Sequence, residues 1–291
     1  MDRRDFLKTI PLAAGVPALA GIPSLKSFFL DDDDALICSK KFELAASLHL
    51  RKKPIGDVVV EMGKSFLGTD YVANTLEQPG EEHLVINLRG LDCVSFYENA
   101  LVFARCIKMN KTTFDDYQAE LQFIRYRSGV IEGYPSRLHY SSDYFFDNEK
   151  KKVLRVVTKN IGGVRYEKTI NIMSTDPESY RQLRIHPEFL PMIRAQEEAI
   201  NRRTLYHIPT EIVPKVASKI HDGDILAITT DMPGMDVSHT GIALWQNGKL
   251  HLLHAPLSGL KVQITEKPLA EYLAASPKRL GIMVARPVEP S

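Results

Sequence analysis

His239-Thr240-Gly241-Ile242-Ala243-Leu244-Trp245-Gln246-Asn247-Gly248-Lys249-Leu250-His251-Leu252-Leu253-His254-Ala255 is the stretch whose reading decides the fold. Two strand-like runs, His239–Gln246 and Lys249–Ala255, flank Asn247-Gly248. Asn-Gly between such runs predicts a hairpin, because both central positions of a type I′ turn need positive φ. A two-residue turn sets His254 opposite Gly241. Side chains alternate along a strand, so His239 and Gly241 share a face. His239 and His254 then form a diagonal pair on that face, about 7–8 Å apart at Cα and within reach of each other. One further loop residue would send the two imidazoles to opposite faces.

A histidine held by a second polar ring is the base a cysteine nucleophile requires. Upstream, the apolar positions Tyr97, Ala100, Leu101, Ala104 and Ile107 predict a helix that begins at Asp92 or Cys93 and runs to about Met109. Cys93 thus sits where unsatisfied N–H groups and the helix dipole favour a thiolate. Its backbone N–H is placed to donate to an oxyanion, and Asp92 is placed to cap the helix. Taken alone, Cys93 reads first as a buried, inert thiol, and any one of the nine histidines reads as structural by default. His139, His207 and His251 are assigned to that structural class. The conjunction of a helix-start cysteine with a two-histidine strand face favours nucleophilic chemistry. A metal site built on the histidine pair is the weaker reading, since no carboxylate or cysteine stands at local ligand spacing.

The motifs around these residues resemble those of a known superfamily. Leu91-Asp92-Cys93-Val94-Ser95-Phe96 is similar to the Asp-Cys-Ser-Gly-Phe nucleophile motif of NlpC-type peptidases. Ser238-His239-Thr240-Gly241-Ile242 is similar to their Ser-His-Val-Gly-Ile strand, and Phe66 to Val72 to their Leu-Gly-Thr-Pro-Tyr segment. The resemblance is closer to one branch, the N-acetylmuramoyl-L-alanine amidase-like family. Matching segments are Thr69–Glu77, Asn87–Asn99, Ser136–His139, Asn171–Ser174 and Asp222–Thr230, within a likeness over about residues 55–287. Asp70 stands where the superfamily usually has Pro, and Ser95-Phe96-Tyr97-Glu98 replaces a Thr-Phe-Val-Glu style continuation.

The resemblance implies an α+β, papain-like fold in which the Cys93 helix packs on an antiparallel sheet bearing His239 and His254. It implies a cysteine amidase that needs no cofactor and cuts between the muramyl lactyl group and L-alanine. The implied substrates are small peptidoglycan fragments, particularly anhydro-muropeptides. Cys93, His239 and His254 would be catalytic, with Tyr71, Asp92 and Ser238 as substrate or oxyanion support. The rival activities are a γ-D-glutamyl-diaminopimelate endopeptidase on the same fold and a non-catalytic wall-binding module.

The remaining sequence frames this site. With 44% hydrophobic and 25% charged residues, the composition is that of a globular chain. A formal net charge of +1 carries no basic excess toward a nucleic-acid partner. Arg3-Arg4-Asp5-Phe6-Leu7-Lys8, the apolar stretch Ile10–Ile22 and Ala18-Leu19-Ala20 resemble a twin-arginine export signal with its cleavage site. Residues 1–30 are therefore expected to be signal and spacer, with Asp31–Asp34 a solvated continuation. The expected location is the periplasm, without stable membrane insertion once the signal is removed. Residues 40–289 are expected to form a single domain, with 110–220 an elaborating insertion that shapes the substrate cleft. Three cysteines in an exported chain leave at least one thiol unpaired.

Overall fold

The computed structural model describes residues 25–290. The export-signal features, Arg3-Arg4 to Ala20, lie outside the described residues. No helix among the described residues is long and apolar enough to cross a membrane.

Ten strands occur among the described residues. They are β1 (Asp70–Tyr71), β2 (Gly90–Leu91), β3 (Leu154–Val156), β4 (Val164–Arg165), β5 (Tyr206–Pro209), β6 (Ile225–Thr230), β7 (Val237–Gln246), β8 (Lys249–His254), β9 (Gln263–Ile264) and β10 (Arg279–Pro287). The main sheet runs in the order β4-β5-β10-β6-β7-β8-β9, with β3 also paired to β10, and each pairing is antiparallel. The principal helices are α1 (Leu25–Ser47), α2 (Ile55–Lys64), α3 (Cys93–Met109), α4 (Phe114–Arg125), α5 (Ser141–Lys150), α6 (Leu190–Asn201) and α7 (Leu269–Ala274).

The β7–β8 hairpin closes through the expected two-residue turn. Asn247 and Gly248 take φ of 52° and 72°, and the register pairs Ile242 with Leu253 and Gln246 with Lys249. Alternation then divides the hairpin between two cores. Ile242, Leu244 and Leu253 face α2 and α3, while Ala243, Leu250 and Leu252 face α7 and the Val213–Val216 turn.

Helix α3 begins at Cys93 and ends at Met109, as the apolar spacing predicts. It is not one-sided, however. Phe96, Leu101, Val102, Phe103 and Cys106 are all buried, because the helix runs between the sheet, α2 and α4. Its polar residues are therefore paired inside: Glu98 with Arg125 at 2.9 Å, Arg105 with Glu120 at 2.5 Å, and Asn99 with the Tyr117 hydroxyl. Buried polar groups stay only where such partners exist.

One expectation is corrected. The acidic run is no spacer but part of α1, and its last residue is not solvated: Asp34 is buried, accepting from the Leu88 N–H at 3.0 Å and pairing with Arg89 at 3.3 Å. The Leu88 N–H belongs to an irregular segment with no strand neighbour, so a side chain must satisfy it. Strand β4 is confined to Val164–Arg165, and Ile172 opens a short helix. Strand β9 is only Gln263–Ile264, and Leu260 ahead of it turns through φ 56°.

Residues 110–220 are woven into this frame. Tyr117, Leu121 and Ile124 of α4 join the main core, and β3, β4 and β5 extend the main sheet. A smaller core of Tyr134, Tyr140, Ile170, Met173, Leu183, Ile193 and Ile200 lies within the same stretch.

Candidate active site

One open cleft contains Cys93, Ser238 and His239 on its wall. It lies where the N-terminus of α3 meets the start of β7, and three local features build that junction.

The first is the helix cap. The Asp92 carboxylate accepts from the Val94 N–H at 3.0 Å and the Ser95 N–H at 2.7 Å. The Ser95 hydroxyl in turn accepts from the Asp92 N–H at 2.9 Å, completing a capping box. The cap fixes Cys93 as the first helical residue, at the positive end of the dipole. Asp92 is thus the helix cap, and it occupies the N–H groups of Val94 and Ser95. Ahead of it, β1 and β2 pair in parallel, Tyr71 with Leu91. This short ladder steers the chain into the helix start.

The second is a β-bulge. The β6–β7 ladder pairs Ile228 with His239 but Thr229 with Val237, leaving Ser238 as the extra residue. Bulges twist a strand locally and re-aim its side chains, often beside active sites. Here the bulge stands immediately before His239.

The third is a tether. The Thr240 hydroxyl donates to the Cys93 carbonyl at 2.7 Å. The strand residue next to His239 is thereby bonded to the residue that carries the thiol.

Behind His239 stands His254. The His239 Nε2 and His254 Nδ1 are 2.7 Å apart, with the rings at 73°. The diagonal pairing expected from the turn length is present. His254 is fully buried, and burial together with the nearby Arg279 pushes its pKa down to about 4. A neutral ring carries one N–H, so if His254 Nδ1 accepts from His239, His254 Nε2 bears the hydrogen. Tyr272 lies edge-on to His254 at 5.4 Å, and Arg279 stacks on the other ring at 3.9 Å from its centroid.

Sequence reasoning missed much of the remaining wall. Arg125, Tyr134, Arg137, His139 and Tyr180 line the cleft from residues 110–220. Buried arginines pin the irregular segment that faces them. Arg137 donates to the Leu76 carbonyl and the Glu77 carboxylate, each at 2.5 Å, and Arg125 donates to the Val85 carbonyl at 2.5 Å. No local pattern in the sequence marks these long-range bonds. His139, read as structural, also belongs to the cleft wall. The Tyr71 backbone pairs with Leu91 and so orders the approach to Asp92.

Neither other thiol shares these properties. Cys38 and Cys106 are buried and unbridged, and burial raises both pKa values, that of Cys38 to about 12.

Comparison with known proteins gives the family and the fold. Residues 61–282 match the family described as AmiA-like, N-acetylmuramoyl-L-alanine amidase-like. A crystal structure of an N-acetylmuramoyl-L-alanine amidase from Bacteroides uniformis is 35% identical, with a TM-score of 0.77 over 80% of this chain and 99% of its own. A Bacteroides fragilis structure named as a candidate xylanase is 37% identical, with a TM-score of 0.74 over 78% of this chain and 99% of its own. A Legionella pneumophila protein, LPG0564, shares the fold at 20% identity, with a TM-score of 0.69 over 90% of this chain and 97% of its own. We found no match among curated proteins. The matched region contains the helix cap, the bulge and both histidines, and the chain belongs to the AmiA-like, N-acetylmuramoyl-L-alanine amidase-like family.

Proposed function

We propose that this protein is a cysteine amidase that hydrolyses the amide bond between N-acetylmuramic acid and L-alanine in peptidoglycan fragments, anhydro-muropeptides in particular. The observation that carries the reading is the His239–His254 pair at 2.7 Å beside a capped, cleft-lining Cys93. The family and the Bacteroides uniformis relative support the bond. The helix-start cysteine packed on a histidine-bearing antiparallel sheet supports a papain-like core of the NlpC type. The twin-arginine-like Arg3-Arg4 segment supports export to the periplasm, where such fragments arise.

In the proposed reaction His239 takes the thiol proton and the Cys93 sulfur attacks the lactyl carbonyl carbon. The Cys93 backbone N–H stabilises the oxyanion. His239 then protonates the alanine nitrogen as the C–N bond breaks, leaving a thioester. Water, deprotonated by His239, hydrolyses the thioester and regenerates the thiol. Neutral His254 holds the His239 ring in the required tautomer throughout.

A glycosidase reading of the same cleft requires two carboxylates placed for acid and base chemistry. The cleft carboxylates are committed elsewhere. Glu77 is bonded to Arg137, Glu98 to Arg125, Asp92 to its cap, and Asp236 accepts from the Ser142 N–H at 2.8 Å.

The nucleophile is tested by limiting iodoacetamide alkylation of the native protein followed by peptide mass mapping. Cys93 is expected to label first, because Cys38 and Cys106 are buried and held as thiols. Faster labelling of either buried cysteine would remove Cys93 from its role.

A further inference from the structure

The cleft contains a second imidazole whose protonation is set by its surroundings. His139 Nε2 lies 2.9 Å from the Tyr134 carbonyl oxygen. A carbonyl only accepts, so Nε2 carries the hydrogen. Burial, with Arg137 and Arg127 close by, pushes the His139 pKa down to about 3, so the ring stays neutral. Nδ1 is then an unprotonated acceptor. It has no protein partner among the described residues, and it is absent from the enclosed polar atoms that lack one. It therefore meets solvent, and the ring lines the cleft that contains Cys93 and His239.

The backbone around His139 is held rigidly. The ring packs on Tyr134 with centroids 4.4 Å apart. The Ser136 hydroxyl closes the preceding turn onto the Gly133 carbonyl at 2.6 Å and accepts from the Glu132 N–H at 3.0 Å. Gln196 donates to the Pro135 carbonyl at 2.8 Å, and Arg137 anchors the other side at Leu76 and Glu77. The two cleft arginines are committed to Glu77 and Glu98. A fixed acceptor therefore stands in a wall whose cationic groups are already engaged. Such a group rewards a substrate that offers a hydrogen and penalises one that does not.

We infer that His139 is a specificity-determining residue of the proposed amidase site, its Nδ1 accepting a hydrogen bond from an N–H of the substrate. This rests on the amidase reading above and deepens it. Two N–H groups flank the scissile bond in a muropeptide: the N-acetyl amide of the sugar and the amide between the first two stem residues.

The test is steady-state kinetics on 1,6-anhydro-N-acetylmuramoyl-L-alanyl-D-glutamate, the substrate class proposed above, for wild type, His139→Phe and His139→Asn. Phenylalanine keeps the ring packing and removes the acceptor. Asparagine returns an oxygen near the Nδ1 position. His139→Phe is expected to lower kcat/KM by about tenfold, mainly through KM, as for one lost hydrogen bond, and His139→Asn to recover most of that loss. N-methylation of the alanyl-glutamate amide, or removal of the N-acetyl group, then locates the donor. The modification that removes it costs wild type the same factor and costs His139→Phe nothing further. An unchanged KM in both variants overturns the assignment. So does a loss that tracks a lowered melting temperature and is the same on every substrate, which is the signature of a purely structural residue. A wild type inactive on all of these substrates removes the amidase reading, and this assignment with it.

Discussion

His254 is held neutral inside the protein, and this has a measurable consequence for stability. Its folded pKa is about 4, against an ordinary value of 6.5, because burial and the Arg279 charge disfavour the imidazolium. On lowering the pH the unfolded chain takes up the proton first. Stability is therefore complete above about pH 6.5 and is lost as the pH falls toward 4. Integrating the proton linkage between pH 7 and pH 4 for a site shifted by this amount gives a loss of about 3 kcal/mol. The assay is denaturant unfolding of wild type and His254→Gln at half-unit pH steps. Glutamine removes the titration and retains a polar side chain. His139 is likewise held neutral in both proteins, so its contribution cancels in the difference. The wild-type curve is expected to fall faster than that of the variant, with the gap closing by about 3 kcal/mol between pH 6.5 and 4. Parallel curves would refute the argument that His254 is neutral and buried in the folded state.

Two further substitutions test the frame around the site. Gly241→Ala places a Cβ 2.8 Å from the Leu253 carbonyl oxygen and 2.7 Å from the Leu252 Cδ1, between the strands that carry the two histidines. It should destabilise by about 1–3 kcal/mol in chemical denaturation, and activity should fall as His254 is pushed away from His239. Arg125→Met leaves the Glu98 carboxylate buried without its partner and should cost roughly 3–5 kcal/mol. Adding Glu98→Met to it should restore most of that loss in the same assay.

How much of this was legible depended on how local the cause was. The hairpin register follows from two residues, because the positive φ values at Asn247 and Gly248 leave little choice of turn. The start of α3 follows from Asp92, whose side chain supplies the cap within three residues. Non-local causes left no such trace. The Ser238 bulge depends on how β6 pairs with β7, which the β7 sequence does not encode by itself. Arg125 and Arg137 look like surface charges on a helix and a loop until the segment at Leu76–Val85 folds over them. Asp34 reads as one of four solvent-facing aspartates, yet it is buried against Leu88 and Arg89. His139 reads as an ordinary histidine because its assignment rests on a carbonyl five residues back and on a cleft assembled from distant segments.

The most direct test of the central claim is mass spectrometry of the products from purified anhydro-muropeptide, with wild type and Cys93→Ala side by side. The account predicts free disaccharide and an intact stem peptide from wild type, and neither from Cys93→Ala. A disaccharide still carrying L-alanyl-D-glutamate would move the cut to the endopeptidase bond, and the predicted products from Cys93→Ala at the wild-type rate would contradict the cysteine mechanism outright.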